Sequence, residues 1–207
     1  DPFSELTSIP DASRVILDEA EKSSDLPLFV SCGGPLTNIA AALREDPTLA
    51  ERMTLCWIGG GAYPEGGWEY NLALDTPAAQ FVFNESSAEI HQFPLTTYRQ
   101  CAYSIAELEF VLSGGGPFGA WLYEKFTNPP TAIRIGDHWP QGDSPVVLTT
   151  ALGTESSSTR RLPVPWIADD LSYGAHPHPR EMILYDRVDT RLLFSDFAAR
   201  ISLLGRG

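Results

Sequence analysis

Apolar positions in the first half of this chain alternate between two periods. Val15, Ile16 and Ala20 recur at helical spacing and predict a helix over 12–23, with Asp11 as its candidate cap. A short apolar run, 26–31, then reads as a buried strand that ends in Cys32-Gly33-Gly34. An alanine-rich helical pattern over 35–44 follows, with proline at its start and Thr37 and Asn38 in its first turn. After a helical turn at 47–52, a second apolar strand, 54–58, runs into Gly59-Gly60-Gly61 and a glycine-rich loop at 62–68. A helix over 76–84 and a strand over 88–93, marked by Ile90 and Phe93, complete this half. Strands separated by single helices predict βαβ units and a parallel sheet. Ligands of such sheets sit beyond the carboxyl ends of the strands. Two glycine-bearing strand ends therefore imply one shared site in which backbone approaches a ligand.

The second half is less regular. Helices are predicted at 104–112 and 118–126, broken by Gly114-Gly115-Gly116-Pro117. The stretch 128–142 reads as loop, 145–152 as a short buried helix, and 153–160 as an exposed serine-rich loop. Strands at 162–167 and 181–185 are expected to form a hairpin through SYGAHPHP. A final amphipathic helix, 189–203, would turn Leu192, Leu193, Phe197 and Ile201 inward. No internal repeat is present.

Composition narrows the function classes. With 207 residues, 43% hydrophobic and 20% charged, the chain can bury one sizeable core, and it reads as one domain over 1–207. Lys+Arg 14 against Asp+Glu 27 gives a net charge of -13, which disfavours nucleic acid and anionic membrane as partners. No stretch approaches the ~20 apolar residues of a membrane span, and no signal peptide is visible. Cys32, Cys56 and Cys101 are an odd set without zinc spacing, which points to a reducing, cytoplasmic setting. GGGAYPEGG lacks the Lys-Ser/Thr of a phosphate loop, and there is no nucleophile elbow.

The segments GGPLTNIAAALREDP, WIGGG and WEYNLALDTPAAQFVF, in that order, resemble the core of the inosine-uridine-type nucleoside hydrolases. That family shows G-P-L-T-N-(I/L)-A and, further along, (A)-E-(F)-N-x-x-x-D-x-x-A-A. The resemblance runs from about residue 28 to about residue 83 and continues more weakly through Asp143 to the C-terminus. It implies an open, mainly parallel α/β sheet flanked by helices. It also implies cleavage of the N-glycosidic bond of ribonucleosides by a calcium-bound water, and a homo-oligomer is expected. Cleavage at a ribosyl carbon passes through an oxocarbenium-like state, so the protein must hold the sugar, activate water and help the base depart.

Site residues follow from the same resemblance. Glu69 and Asn71 would bind ribose hydroxyls; two residues apart in an extended segment, they would point to one side. The main-chain carbonyl of Gly33 would be a Ca2+ ligand, and Asn38 would brace the loop near the ion, unless it only serves the first turn of its helix. Asp143 would be a second calcium ligand, or the cap of the helix behind it. Gly142 stands where a leaving-group histidine is usual, and Tyr63 where an asparagine is usual, six residues before Glu69. Tyr63 could stack on a base, and His138 with Trp139 could supply a proton donor and a stacking surface. His176 and His178 have metal-pair spacing but sit among prolines as a loop, and Asp169-Asp170 reads as a turn.

The family's opening strand, with an aspartate cluster of the D-x-D-x-x-x-D-D kind that holds calcium and supplies the general base, has no counterpart. DPFSELTSIPDASRVILDEAEKS instead resembles the middle of the family's domain. The expectation is an α/β domain incomplete at its N-terminus, whose missing segment belongs to the same protein. A catalytically silent relative that binds a sugar or a partner protein is the alternative.

Overall fold

The computed structural model describes residues 10–129, 136–155 and 157–205. In chain order the elements are α1 (Asp11–Ala20), β1 (Leu28–Cys32), α2 (Thr37–Glu45), β2 (Met53–Ile58), α3 (Tyr70–Leu74), α4 (Thr76–Gln80), β3 (Glu89–Phe93) and α5 (Leu95–Tyr98). Then come β4 (Ala102–Ser104), α6 (Ile105–Ser113), α7 (Gly116–Thr127), β5 (His138–Pro140) and α8 (Ser144–Val147). The chain closes with β6 (Ser158–Pro163), β7 (Trp166–Ile167), β8 (Tyr173–Gly174), β9 (Glu181–Arg187) and α9 (Thr190–Leu204). The described residues fall into two compact units, one of residues up to Thr97 with Ser157–Arg187, the other of Tyr98–Ser156 with the residues from Val188 on.

The first unit is built on a five-stranded sheet in the order β1-β2-β3-β9-β6. The first three pairings are parallel, and β6 closes the edge antiparallel to β9. The open, mainly parallel sheet expected from the alternating elements is therefore present. Register fixes its packing: Val30 lies beside Leu55 and Leu55 beside Ile90, so one face carries an apolar row. That row meets α2, α4 and the π-helical turn Phe81–Glu85 in a single core around Leu36, Ala40, Trp57 and Phe83. Trp57 sets its indole edge-on to Phe83 at 5.3 Å. α1 seats on α2 through Ser13, fully buried, whose hydroxyl donates to the Asn38 carbonyl at 2.9 Å.

Several expectations shift by a few residues, each for a visible cause. Asp11 is the first helical residue and Pro10 takes the cap position, without a side-chain bond. Ile90 and Phe93 are both fully buried but on opposite faces: Ile90 joins the core, whereas Phe93 stacks on Tyr185 at 4.2 Å. β3 is thus a strand covered on both sides, as parallel sheets commonly are. β6 begins inside the stretch expected to be loop. Its exposed arginines hide the strand period, and Arg160 reaches across the edge to Asp186 at 2.6 Å. The strand expected at 162–167 is two strands, because Pro163 and Pro165 lack the N–H a ladder needs. The hairpin connection itself carries the small β7–β8 pair.

Side chains, rather than ladder bonds, hold that connection down. Asn84 accepts from the Ile167 N–H at 2.8 Å and donates to the Ile167 carbonyl at 3.0 Å, so its amide replaces a strand neighbour. The Arg180 guanidinium gathers the carbonyls of Ala88, Val82 and Phe83 at 2.6, 2.9 and 3.2 Å. A cation suits the carbonyl end of a helical turn. Its burial pushes the Arg180 pKa down.

In the second unit, β4 and β5 pair antiparallel, so part of the expected 128–142 loop is strand; residues 130–135 of it lie outside the described residues. A capping box starts α6: Ser104 accepts from the Glu107 N–H and Glu107 from the Ser104 N–H. Tyr103, Leu108, Leu112 and Ile201 form its core, as the inward pattern of α9 requires. Gly119 allows α7 to touch α6, since a Cβ there would lie 2.0 Å from the Leu112 carbonyl oxygen. No described helix is long and apolar enough to cross a membrane.

Replacing Asn84 by alanine removes both of its bonds to Ile167. Urea unfolding should show a loss of about 1–3 kcal/mol, the range for buried backbone groups left unpaired, with a smaller loss for Asn84→Asp, which keeps the acceptor.

Candidate functional site

The candidate site lies at the carboxyl ends of β1 and β2, where Glu69 and Asn71 are anchored. Glu69 is 1% exposed and forms the cap of α3: its Oε2 accepts from the Leu72 N–H at 3.0 Å. The same oxygen accepts from the Gly60 N–H at 2.8 Å, which ties the cap to the glycine turn after β2. Asn71, 8% exposed, donates through Nδ2 to the carbonyl of Ile58 at 2.8 Å and of Gly33 at 3.3 Å. One amide therefore bridges the ends of both strands. Asp75 is the next cap, accepting from the Ala78 N–H at 3.1 Å and from the Thr37 hydroxyl. The spacing of glutamate, asparagine and aspartate in this segment is thus the spacing of two successive helix caps with an amide bridge between them.

This geometry differs from the extended pair expected from sequence. Glu69 is extended (φ -145, ψ 147), but Asn71 sits in the first turn of α3. The two side chains converge because one caps and the other reaches back, not because of strand alternation. The two glycine turns also differ. Around Gly34 nothing lies within 4 Å of where a Cβ would be. The second turn is filled by the protein itself. A Cβ on Gly60, whose φ is +89, would fall 2.2 Å from Gln92 Nε2 and 2.3 Å from the Tyr173 hydroxyl. On Gly61 it would fall 2.4 Å from the Gly66 backbone. The glycines of this second turn serve close packing of the chain on itself.

The remaining residues are distributed as follows. Gly33 is exposed at the end of β1. Asn38 is exposed on α2, and the side chain that braces the Gly33 carbonyl is that of Asn71. Tyr63 is partly buried, with its ring 6.1 Å from Tyr173 and its hydroxyl donating to the Pro163 carbonyl at 3.4 Å. It lines a groove of about 460 Å³ with Pro64, Pro165 and His176. In the second unit, Asp143 is exposed at the cap position of α8 and makes no side-chain cap bond. Gly142 lies against the Tyr98 ring. His138 is exposed on β5, while Trp139 packs on Phe126 at 5.5 Å. His176 and His178 form a loop: His176 Nε2 bonds the Asn84 carbonyl at 3.1 Å and Nδ1 accepts from the His178 N–H at 3.0 Å. Asp170 closes a turn onto Ser172, whose N–H and hydroxyl hold its carboxyl below the usual range.

Sequence reading missed Gln92 and Tyr173. Gln92 is fully buried in β3, where its Nε2 donates to the Gly59 carbonyl at 2.9 Å and to the Tyr173 hydroxyl at 3.2 Å. A glutamine on the core side of a parallel strand was the available signal. Tyr173 is partly buried as a residue, but its hydroxyl lies inside, and loss of water there pushes its pKa up to about 12.

Calcium takes about six to eight oxygens. The Gly33 carbonyl already accepts the Asn71 amide, and the Glu69 Oε2 and both Asp75 oxygens are engaged by N–H and hydroxyl donors. Among the described residues no three His, Cys, Asp or Glu side chains gather as a metal-holding group. The Gly33 carbonyl and Asp143, the donors named by the resemblance, do not by themselves fit a calcium ion.

Fold and corner together define an α/β protein of the nucleoside hydrolase class. The model of the inosine-uridine preferring nucleoside hydrolase family matches residues 4–175, and the chain belongs to that family. It is 28% identical over 145 residues to the pyrimidine-specific ribonucleoside hydrolase RihA of Enterobacter sp. (strain 638), an overlap of 67% of this chain and 46% of that protein. Its fold matches the inosine-uridine preferring nucleoside hydrolase of Bacillus anthracis with a TM-score of 0.69 at 18% identity, covering 94% of this chain and 66% of that one. The purine-preferring ribonucleoside hydrolase of Gardnerella vaginalis gives a TM-score of 0.67 at 23% identity, covering 96% and 67%. The chain thus spans less than half of the curated relative.

Two outcomes test this description. Glu69→Ala strands the Gly60 and Leu72 N–H groups and should cost about 2–4 kcal/mol, whereas Asn38→Ala should stay within about 0.5 kcal/mol; thermal melts would separate them. Burial also raises the pKa of Tyr173 to about 12, of Cys56 to about 11 and of Cys101 to about 12. Each raised group ionises first in the unfolded chain, so its stabilising share is intact below its ordinary pKa and is lost as pH climbs through the folded value. The urea midpoint should fall from about pH 9 to 12, and less steeply above pH 10 in Tyr173→Phe.

Proposed function

We propose that this chain supplies the ribose-facing corner of a nucleoside hydrolase that cleaves the N-glycosidic bond of ribonucleosides to ribose and free base. The observation that supports this is the seating of Glu69 and Asn71 across the carboxyl ends of β1 and β2, where open α/β sheets hold ligands. In this reading the carboxylate and amide that pin the strand ends also meet the sugar hydroxyls. Their backbone bonds fix their positions before substrate arrives, which is what a sugar clamp requires. Tyr63 offers a ring for the base. A calcium-activated water is the expected nucleophile of the complete site. Of the donors named for it, the Gly33 carbonyl belongs to the first unit and Asp143 to the second, and the general base would lie outside the described residues.

One observation favours a second reading, a catalytically silent relative that binds sugar. Glu69 Oε2 and Asn71 Nδ2 are already spent on backbone, and Gly142 cannot donate a proton.

Release assays with inosine, uridine and a nitrophenyl riboside, with and without calcium, discriminate these readings. This chain alone should show turnover at least ~10²-fold below an ordinary enzyme rate, the minimum worth of the general base. Millimolar inosine should nevertheless shift the Asn71 side-chain amide signals. Turnover at about 1 s⁻¹ or above that Asp143→Ala abolishes would place the complete site in this chain. Absence of any inosine-dependent shift would sink the sugar-clamp reading.

A further inference from the structure

We propose that Gln92 and Tyr173 are positioning residues for Glu69, acting on it through the turn Gly59-Gly60-Gly61. Calling the corner a sugar clamp rests on the function proposed above; the effect on Glu69 does not.

The turn's backbone bonds lead to this assignment. The Gly59 N–H donates to the Phe93 carbonyl at 3.1 Å, and the Gly60 carbonyl accepts from the Leu95 N–H at 3.0 Å. What remains is taken by side chains. Gln92 donates to the Gly59 carbonyl at 2.9 Å and to the Tyr173 hydroxyl at 3.2 Å, and Glu69 accepts from the Gly60 N–H at 2.8 Å. Gln92 and Glu69 therefore hold the two ends of one peptide group, the Gly59 carbonyl and the Gly60 N–H, and Tyr173 holds the Gln92 amide in turn. The direction in which the Gly60 N–H points is set by the groups on either side of it. The Tyr173 hydroxyl and Gln92 Nε2 also fill the space beside the Gly60 Cα, where a Cβ would fall within 2.3 Å of both. The turn cannot move toward them.

Gln92 is poorly accounted for by stability. Its side chain is fully buried, and its Oε1 has no hydrogen-bond partner. A buried polar group left unpaired is destabilising, and an apolar residue of similar size would avoid that cost. Its amide nevertheless sits where it fixes both the Gly59 carbonyl and the Tyr173 hydroxyl. Such a residue costs the fold something and orders one corner. Catalytic and binding groups need placement within about half an ångström, held by a supporting shell.

The test uses the full chain with Tyr173→Phe and Gln92→Leu, both close in shape to the original. Amide hydrogen exchange at Gly60 is compared with exchange at Leu55 and Cys56 inside β2, so that global destabilisation cancels. Gly60 should exchange at least tenfold faster in each variant relative to those strand amides. Inosine binding, followed by NMR shifts, should weaken about tenfold, and this loss should shrink to under twofold in a Glu69→Gln background. A Gly60 amide that gains no more exchange than β2 overturns the proposal. So does inosine binding within twofold of the parent chain in both variants. If the parent chain binds no inosine, the function proposed above fails, and exchange at Gly60 alone decides whether Gln92 and Tyr173 position Glu69.

Discussion

The first unit depends on how the backbone is satisfied where β2 ends. A parallel strand must stop, turn and hand over to the next element, and the peptide groups of that turn are shielded from water. Here the turn is Gly59-Gly60-Gly61, and side chains from two elements bind its peptide groups and the one before it: Asn71 and Glu69 from α3 and its cap, and Gln92 from β3. Buried N–H and C=O groups without partners are costly, so these side chains are as much a part of the strand end as its ladder bonds. Glycine is required because the partners come so close: at φ +89 and with Gln92 and Tyr173 alongside, residue 60 has no room for a side chain.

In the proposed function, that solution brings structure and ligand recognition onto the same atoms. A carboxylate that caps a helix and accepts a turn amide is rigid and dehydrated, and its remaining capacity is directional. An amide that bridges two strand ends is equally fixed. Rigid polar groups at the carboxyl end of a parallel sheet are suited to reading the hydroxyl pattern of a sugar, because little order has to be imposed when the ligand arrives. The same commitment limits them as metal donors. Calcium wants several mobile or uncommitted oxygens, and Glu69 Oε2 and both Asp75 oxygens are already engaged by N–H and hydroxyl donors, while Asn71 turns its Nδ2 to the strand carbonyls. The groove beside Tyr63 is separate in character, walled by prolines and aromatic rings, with the Tyr63 hydroxyl turned to the Pro163 carbonyl.

Sequence carried the alternation of strands and helices and the glycine turns, because these depend on near neighbours in the chain. It carried the family through short motifs whose order is unusual. It did not carry what depends on distant pairing. β6 was hidden because its edge side chains are charged and exposed, and the period of burial vanished with them. The extended reading of Glu69 and Asn71 failed because a cap residue has strand-like dihedrals while its neighbours are helical. Asn84 looked like the end of a helix, and its pairing with Ile167, 83 residues away, leaves no local trace. Gln92 is the instructive miss. A glutamine in Glu-Ile-His-Gln-Phe reads as one more polar residue of the strand until Tyr173, 81 residues on, is placed against it.

Together these cases separate two kinds of polar residue in the first unit. Asp170 satisfies donors two residues on, and Asp75 caps its helix at Ala78, so both of these roles are written in local spacing, although Asp75 also accepts from the distant Thr37 hydroxyl. Gln92, Asn84 and Arg180 satisfy backbone groups far along the chain, and each sits where a turn or strand end would otherwise leave peptide groups unpaired. Glu69 and Asn71 belong to both kinds: each lies on or next to a local cap, and each reaches a distant strand end. That double attachment makes the corner a rigid platform, and it also means that any ligand bound there must be recognised by groups the fold already needs. Substitutions at Glu69 would change stability and recognition together, whereas those at Tyr173 and Gln92 act on the turn behind it. The order of the corner is therefore set from its buried side, through β3 and β8, as well as by the residues that face the crevice.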